Sequence, residues 1–272
     1  MITTILVPID YSEASHNALE TAIAIAGRKN AAIQLLQVND IAHPYDAPSL
    51  KKAKQVCYAM ADSIHQRSGI ATEVIFAEGY IGPTIVKTAV EVKPSLIIMG
   101  AYGASGHRDF FIGSNAYYVI KYAACPVLTI PEGGKWLSFQ KMLLPVRPTL
   151  GRFKRHWLLN DLTDAAASPS ELEVFGVSVE RKEQDVKQVG EIARELNHYL
   201  NNAAVQVLVS YSEGKNVAEE VLEKADKTNA DLIIVSTTVD VSNKQFFVGP
   251  FSQRIINHAR IPVLCLLRSP GD

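Results

Sequence analysis

Short apolar runs alternate along this chain with stretches in which apolar residues recur every three or four positions. Thr4 to Ile9 is an apolar run of β type. Asp10 and Ser12 follow, and Ser12 can cap a helix that carries Ala14, Ala18, Ala22 and Ile25 on one face and ends at Gly27. Ile33 to Val38 predicts a second strand, Asn39 to Pro48 a loop with two prolines, and Leu50 to Arg67 a second helix. Thr72 to Ala77 predicts a third strand, and Ile81 to Val92 a third helix that tolerates Pro83 in its first turn. Pro94 breaks the chain before a fourth strand, Leu96 to Met99. A helix from Ser114 to Ala123 and a strand from Val127 to Ile130 complete the set.

Strand and helix in alternation imply a parallel sheet with right-handed crossovers. The same plan then recurs. LIIMGAYGASGHRDFFIGS at 96–114 lies on LIIVSTTVDVSNKQFFVGP at 232–250 without a gap, an offset of 136 residues, and Cys125-Pro126-Val127-Leu128 falls on Ile261-Pro262-Val263-Leu264. Ile5-Leu6-Val7-Pro8-Ile9-Asp10 matches Met142-Leu143-Leu144-Pro145-Val146-Arg147 at an offset of 137. The second copy predicts strands at Lys141–Val146, Leu172–Val179, Val205–Val209, Leu232–Val235 and Val263–Leu267, with helices at Phe153–Ala167, Glu183–Leu200 and Val217–Lys227. The fold class is therefore α/β: two tandem doubly wound domains, 1–133 and 138–272, each a five-stranded parallel sheet of order 3-2-1-4-5 flanked by helices and joined around Pro131 to Lys135.

In sheets of that order, ligands bind at the carboxyl ends of the strands where the order reverses, here strands one and four. Asp10 and Gly100 stand at those ends. From Gly100 to Ser114 the chain reads GAYGASGHRDFFIGS. Gly100 and Gly103 permit sharp turns and close backbone approach. Gly113 and Ser114 sit where the next helix begins, so its free N–H groups and positive dipole end would face an anion. Taken alone, Gly113 also reads as a turn residue, Ser114 as an N-cap, and Asp10 as a partner of Ser12 in capping the first helix. The second copy has lost the pattern: Arg147 replaces Asp10, Ser236 Gly100, Val239 Gly103 and Pro250 Ser114, and only Gly249 keeps its counterpart.

Composition narrows the remaining options. A net charge of −1 and a pI near 6.7 give no global attraction to nucleic acid or to an anionic membrane. The basic run Arg147, Arg152, Lys154, Arg155 and His156 reads first as a solvated helix face and second as a site for an anion or an acidic partner. Cys57, Cys125 and Cys265 have no metal or dithiol spacing and read as small buried hydrophobes in a reducing compartment. The start MITTILVPID lacks the features of a signal peptide, and no apolar run is long enough to span a membrane, so the expectation is a cytoplasmic protein without membrane partners. Within the glycine loop Arg108 reads first as a solvated charge and second as a partner for a phosphate; His107 and Asp109 carry no assignment.

These residues give the chain a resemblance to the universal stress protein family in a tandem two-domain form, and the spacing from Gly100 to Ser114 resembles that family's ATP-binding signature. The resemblance implies that Asp10 contacts adenine or the ribose region and that Val38 lines the adenine pocket. It implies that Met99 and Gly100 offer backbone groups and that Gly103, Gly113, Ser114 and Asn115 hold ribose and phosphates, with Mg²⁺ accompanying ATP through phosphates and waters. Members of the family pair through their final strands, which implies pairing of the two halves through Val127–Ile130 and Val263–Leu267; further association of chains stays open. A stress-response regulator that binds ATP ranks first, because no general base or loop lysine stands near the phosphates. A slow ATPase or nucleotidyl or phosphoryl transferase ranks next, and an interaction module without nucleotide last.

Overall fold

A computed structural model of the chain describes residues 1–102, 112–134, 136–146, 156–163, 169–180, 182–200, 205–214, 216–240, 245–247 and 250–267. The chain divides into two compact units, Met1–Leu137 and Ser138–Asp272.

The first unit runs β1 (Thr4–Pro8), α1 (Glu13–Lys29), β2 (Ala32–Asp40), α2 (Ala47–Ser68), β3 (Thr72–Gly79), α3 (Ile81–Val92), β4 (Leu96–Gly100), α4 (Ser114–Tyr122) and β5 (Val127–Ile130). Its strands lie in the order β3-β2-β1-β4-β5, all parallel. In β1 and β4 the residues Ile5, Leu6, Val7, Leu96, Ile97 and Ile98 are fully buried, as expected of strands covered on both faces. Each such side chain is worth about 1.5–3 kcal/mol when removed from water. The register sets Ile5 beside Leu96 and Leu6 beside Ile97, so β1 and β4 end together and the crossover reverses between them.

Several helix ends differ from the sequence reading. Ser12 does cap α1, its hydroxyl accepting from the Ser15 N–H, but the helix passes Gly27 and stops at Asn30, which takes the left-handed conformation at φ 52° and donates its N–H to Ala26 O. Asparagine tolerates that conformation, so no glycine was required. Helix α2 starts earlier than expected, at Ala47, because Asp46 caps it and Pro48 fits the first turn. Strands β2 and β3 run two residues beyond their expected ends, continuing one another's ladder through Asp40 and Gly79.

The second unit runs β6 (Lys141–Val146), α5 (His156–Leu162), β7 (Ser170–Ser178), α6 (Glu183–Leu200), β8 (Val205–Glu213), α7 (Val217–Thr228), β9 (Leu232–Asp240), β10 (Gln245–Phe247), α8 (Pro250–His258) and β11 (Val263–Leu267). Strands β8-β7-β6-β9-β11 repeat the parallel order of the first unit. The sheet is not purely parallel: β10, which the periodicity did not reveal, pairs antiparallel with the far end of β9, Phe246 opposite Val239. Helix α8 begins at Pro250, the helix start that the repeat assigns from Ser114 and α4. The expected helix Phe153–Ala167 is described only as His156–Leu162, and Arg147, Arg152, Lys154 and Arg155 lie outside the described residues.

Candidate functional site

At the carboxyl ends of β1, β2 and β4 the first unit encloses a cavity of about 460 Å³. Its apolar wall comes from Ile9 after β1, Leu36 and Val38 of β2, Ile81 and Ile85 of α3, and Met99 of β4. Alternation along β2 brings Leu36 and Val38 to the same face, and the one-turn spacing of Ile81 and Ile85 brings both to one side of α3. Polar groups edge this wall: Asp10 from the β1–α1 turn, Asp40 from the end of β2, His43 and Tyr45 from the β2–α2 connection, and Ser114 and Asn115 from the start of α4.

Of the residues singled out from sequence, Asp10, Val38, Met99, Gly100, Gly113, Ser114 and Asn115 all lie on this cavity. Residues about ninety positions apart are joined because β1 and β4 are neighbours in the sheet. Gly103, His107, Arg108 and Asp109 lie outside the described residues.

The local chemistry refines several of these assignments. Asp10 does not itself cap α1. Its Oδ1 accepts the Ser12 N–H at 3.0 Å and the Ser12 hydroxyl at 2.6 Å, and Ser12 performs the capping. The carboxylate therefore sits beside the positive end of α1. Gly100 is not at positive φ, and its missing side chain is required by packing. A Cβ there would lie 2.9 Å from Ala14 Cβ and 3.1 Å from both Ala14 C and Ser15 N, so the first turn of α1 occupies that space. The glycine thus brings α1 against β4, whatever else approaches.

Helix α4 has Gly113, not Ser114, as its N-cap, and no side-chain hydrogen bond closes that end. The Gly113 N–H donates to Ala101 O at 2.9 Å, and the Ala101 N–H to Ile130 O at 2.8 Å, so the end of β4 is clipped to the start of α4. The first intrahelical bond runs from Tyr117 N to Gly113 O. The N–H groups of Ser114, Asn115 and Ala116 precede it, have no intrahelical acceptor, and belong to residues that line the cavity. The Asn115 side chain is partly committed elsewhere: its Oδ1 accepts the Gly82 N–H at 3.3 Å, tying α4 to α3.

Sequence reasoning missed Ile81, Ile85, Tyr45 and Tyr102 on the cavity wall. The spacing of the two isoleucines in the first turn of α3 was a usable signal; the tyrosines offered none. Burial, with a smaller push from Glu132, raises the Tyr102 phenol above its ordinary pKa, which keeps it a neutral hydroxyl. Among the described residues, no group of three or more His, Cys, Asp or Glu is placed to hold a metal ion, and no helix is long and apolar enough to cross a membrane.

The counterpart in the second unit is built differently. By the repeat, Ser236 marks the position of Gly100, but β9 continues past it to Asp240 and its end is taken up in the ladder with β10. Helix α8 begins at Pro250, which has no N–H to offer, and the Ser252 hydroxyl donates back to Ser236 O at 3.4 Å.

The sequence profile of the universal stress protein family matches residues 1–131 and 162–266. A universal stress protein of Methanocaldococcus jannaschii is 30% identical over 141 residues, covering 48% of this chain and 83% of that protein. One from Bacillus subtilis is 29% identical over 147 residues, covering 48% and 99%. The crystal structure of a universal stress protein from Archaeoglobus fulgidus matches with a TM-score of 0.72 at 21% identity, over 99% of this chain and 97% of its own, a likeness of fold.

Proposed function

The chain belongs to the universal stress protein family, and from that premise we propose that its first domain binds an adenine nucleotide, ATP, as a regulatory ligand. One observation carries the reading: a single cavity of about 460 Å³ joins an apolar slot, a carboxylate and an open helix N-terminus. Small-molecule sites commonly span about 300–1,000 Å³. Val38, Ile81, Ile85 and Met99 would receive a flat base, Asp10 a ribose hydroxyl or a base amine, and the N–H groups of Ser114 and Asn115 the phosphates. Met99 and Gly100 would add backbone groups, and Gly103 joins the set on its position in the sequence. Mg²⁺ would travel with the phosphates, coordinated by their oxygens and by water.

Denaturing the purified protein and identifying any released small molecule by mass spectrometry tests the proposal, with the melting shift on added ATP as a second arm. Released ATP, or a melting point raised by ATP, supports it; neither appearing counts against it. Phosphate or AMP accumulating as ATP disappears would make the domain an enzyme instead. Gly113 has φ −57° and ψ 143°, a conformation valine also adopts, so Gly113→Val is expected to leave the fold intact. Its side chain would shield the first turn of α4 and weaken ATP binding by about tenfold or more. If Gly113→Val bound ATP as tightly as the unaltered protein, the site would be misplaced.

A further inference from the structure

Between Asp10 and the capping Ser12 stands Tyr11, at φ 65°. An aromatic residue in the left-handed region costs about 1–2 kcal/mol, and such a conformation persists only where its surroundings hold it. The side-chain hydrogen bonds of Tyr11 are all made by its hydroxyl. It lies 3.0 Å from Ala53 O, 3.2 Å from Gln37 Oε1 and 3.1 Å from Cys57 Sγ, while Cys57 Sγ lies 3.4 Å from Gln37 Oε1. The phenol O–H is shared between Ala53 O on α2 and Gln37 Oε1 on β2, and the thiol also donates to Gln37 Oε1. Burial raises the pKa of both groups, so both protons stay in place near neutral pH.

The placement of this network gives it a role. Ala53 and Cys57 are one turn apart on α2 and face inward, both buried. Gln37, only 3% exposed, sits in β2 between Leu36 and Val38, which line the cavity. Tyr11 adjoins Asp10, which lines it from the other side. The left-handed step at Tyr11 turns the chain so that the Ser12 N–H points back at the Asp10 carboxylate. The hydroxyl therefore ties the turn that presents Asp10 to the strand that presents Val38.

We propose that Tyr11 is a positioning residue, whose anchored hydroxyl fixes the turn carrying Asp10 relative to Val38 and thereby sets the affinity of the cavity for its ligand. The inference rests on the nucleotide reading above and adds a residue to it. A merely structural tyrosine would affect stability alone; a positioning tyrosine acts on ligand affinity through Asp10.

The test is a double-mutant cycle on ATP affinity, measured by calorimetry with Mg²⁺ present, using Tyr11→Phe, Asp10→Ala and the pair. Tyr11→Phe keeps the ring and removes only the hydroxyl. It is expected to weaken ATP binding about fivefold, and to add no further loss in the Asp10→Ala background. An undiminished loss in that background, or unchanged affinity of Tyr11→Phe, overturns the proposal. Gln37→Met, which leaves the bond to Ala53, should give a smaller loss in the same direction and serves if Tyr11→Phe does not fold. Amide hydrogen exchange at Ser12 and Ser15 in ligand-free protein gives a readout that does not depend on nucleotide: Tyr11→Phe should speed it, and unchanged exchange overturns the positioning role. If the unaltered protein binds no adenine nucleotide while exchange still quickens, the nucleotide reading fails and the brace on the turn stands.

Discussion

In the first domain β4 ends at Gly100 and the chain leaves the sheet, whereas in the second β9 runs on to Asp240 and a short antiparallel strand takes up its backbone groups. The two domains share strand order and parallel register, so the difference lies in how the strand end and the following helix are built. A crevice at the reversal point also needs the strand to stop, the neighbouring helix to come close, and the following helix to begin with free N–H groups. The first domain meets these conditions with Gly100 against α1 and with Gly113 as an N-cap that has no side chain to close the start of α4. The second replaces an N–H donor with Pro250 and continues the ladder instead.

That contrast can be broken by moving residues from one domain to the other. The largest effect is expected from Ser114→Pro, which imports Pro250. Proline is accommodated at the first helical position, so α4 should persist while one backbone donor is lost. A hydrogen bond to a charged group is worth about 1.5–3 kcal/mol, so ATP affinity should fall by about 10- to 100-fold. Adenosine affinity, which lacks the phosphates, should stay unchanged. Equal losses for ATP and adenosine would show that α4 does not face the phosphates.

A second exchange, Gly100→Ser, imports Ser236. Its Cβ would press on Ala14 and on the backbone at Ser15, and overpacking of this kind costs about 1–3 kcal/mol. Chemical denaturation of the first domain should register that loss, while Ser236→Gly should change the second domain by much less. Equal effects in the two domains would mean that the approach of α1 to β4 is not what Gly100 serves.

The smallest effect concerns a matched pair away from the cavity. The Thr3 N–H donates to Ser95 Oγ at 3.1 Å in the first domain, and the repeat places Asp231 at the same point in the second, where it accepts from Gln140 N at 2.7 Å and from Lys141 N at 3.1 Å. Burial pushes the Asp231 carboxyl above its ordinary value of 3.8, against the opposing pull of those N–H groups. A carboxyl raised on folding contributes stability that is present below the ordinary pKa and is lost as pH rises through the folded one. Asp231→Ser should therefore become more stable relative to the unaltered protein as pH climbs upward from about 4. A pH-independent difference in melting would show that burial does not govern this carboxyl.

The alternation of strands and helices, the parallel order and the two-copy organisation were legible in the sequence because burial on both faces writes continuous apolar runs into β1 and β4. The residues around the crevice were legible for a related reason: strand ends and helix starts carry local signals. Boundaries failed where a local signal had a substitute, as when Asn30 in place of Gly27 ended α1, and Asp46 with Pro48 started α2 early. Strand β10 left no trace, because three residues paired to a distant strand have too little pattern of their own.

The sequence by itself determined the two α/β domains, the loss of the pattern in the second, and which segments of the first converge, since periodicity, repeats and helix caps are properties of near neighbours. The tertiary structure decided what each residue does there. Gly100 proved to make room for a helix, Ser12 and not Asp10 to cap it, and Tyr11 to hold a strained turn through partners 26, 42 and 46 residues away. Steric fit and buried hydrogen bonds depend on which distant groups share a few ångströms, and only the folded chain sets those distances.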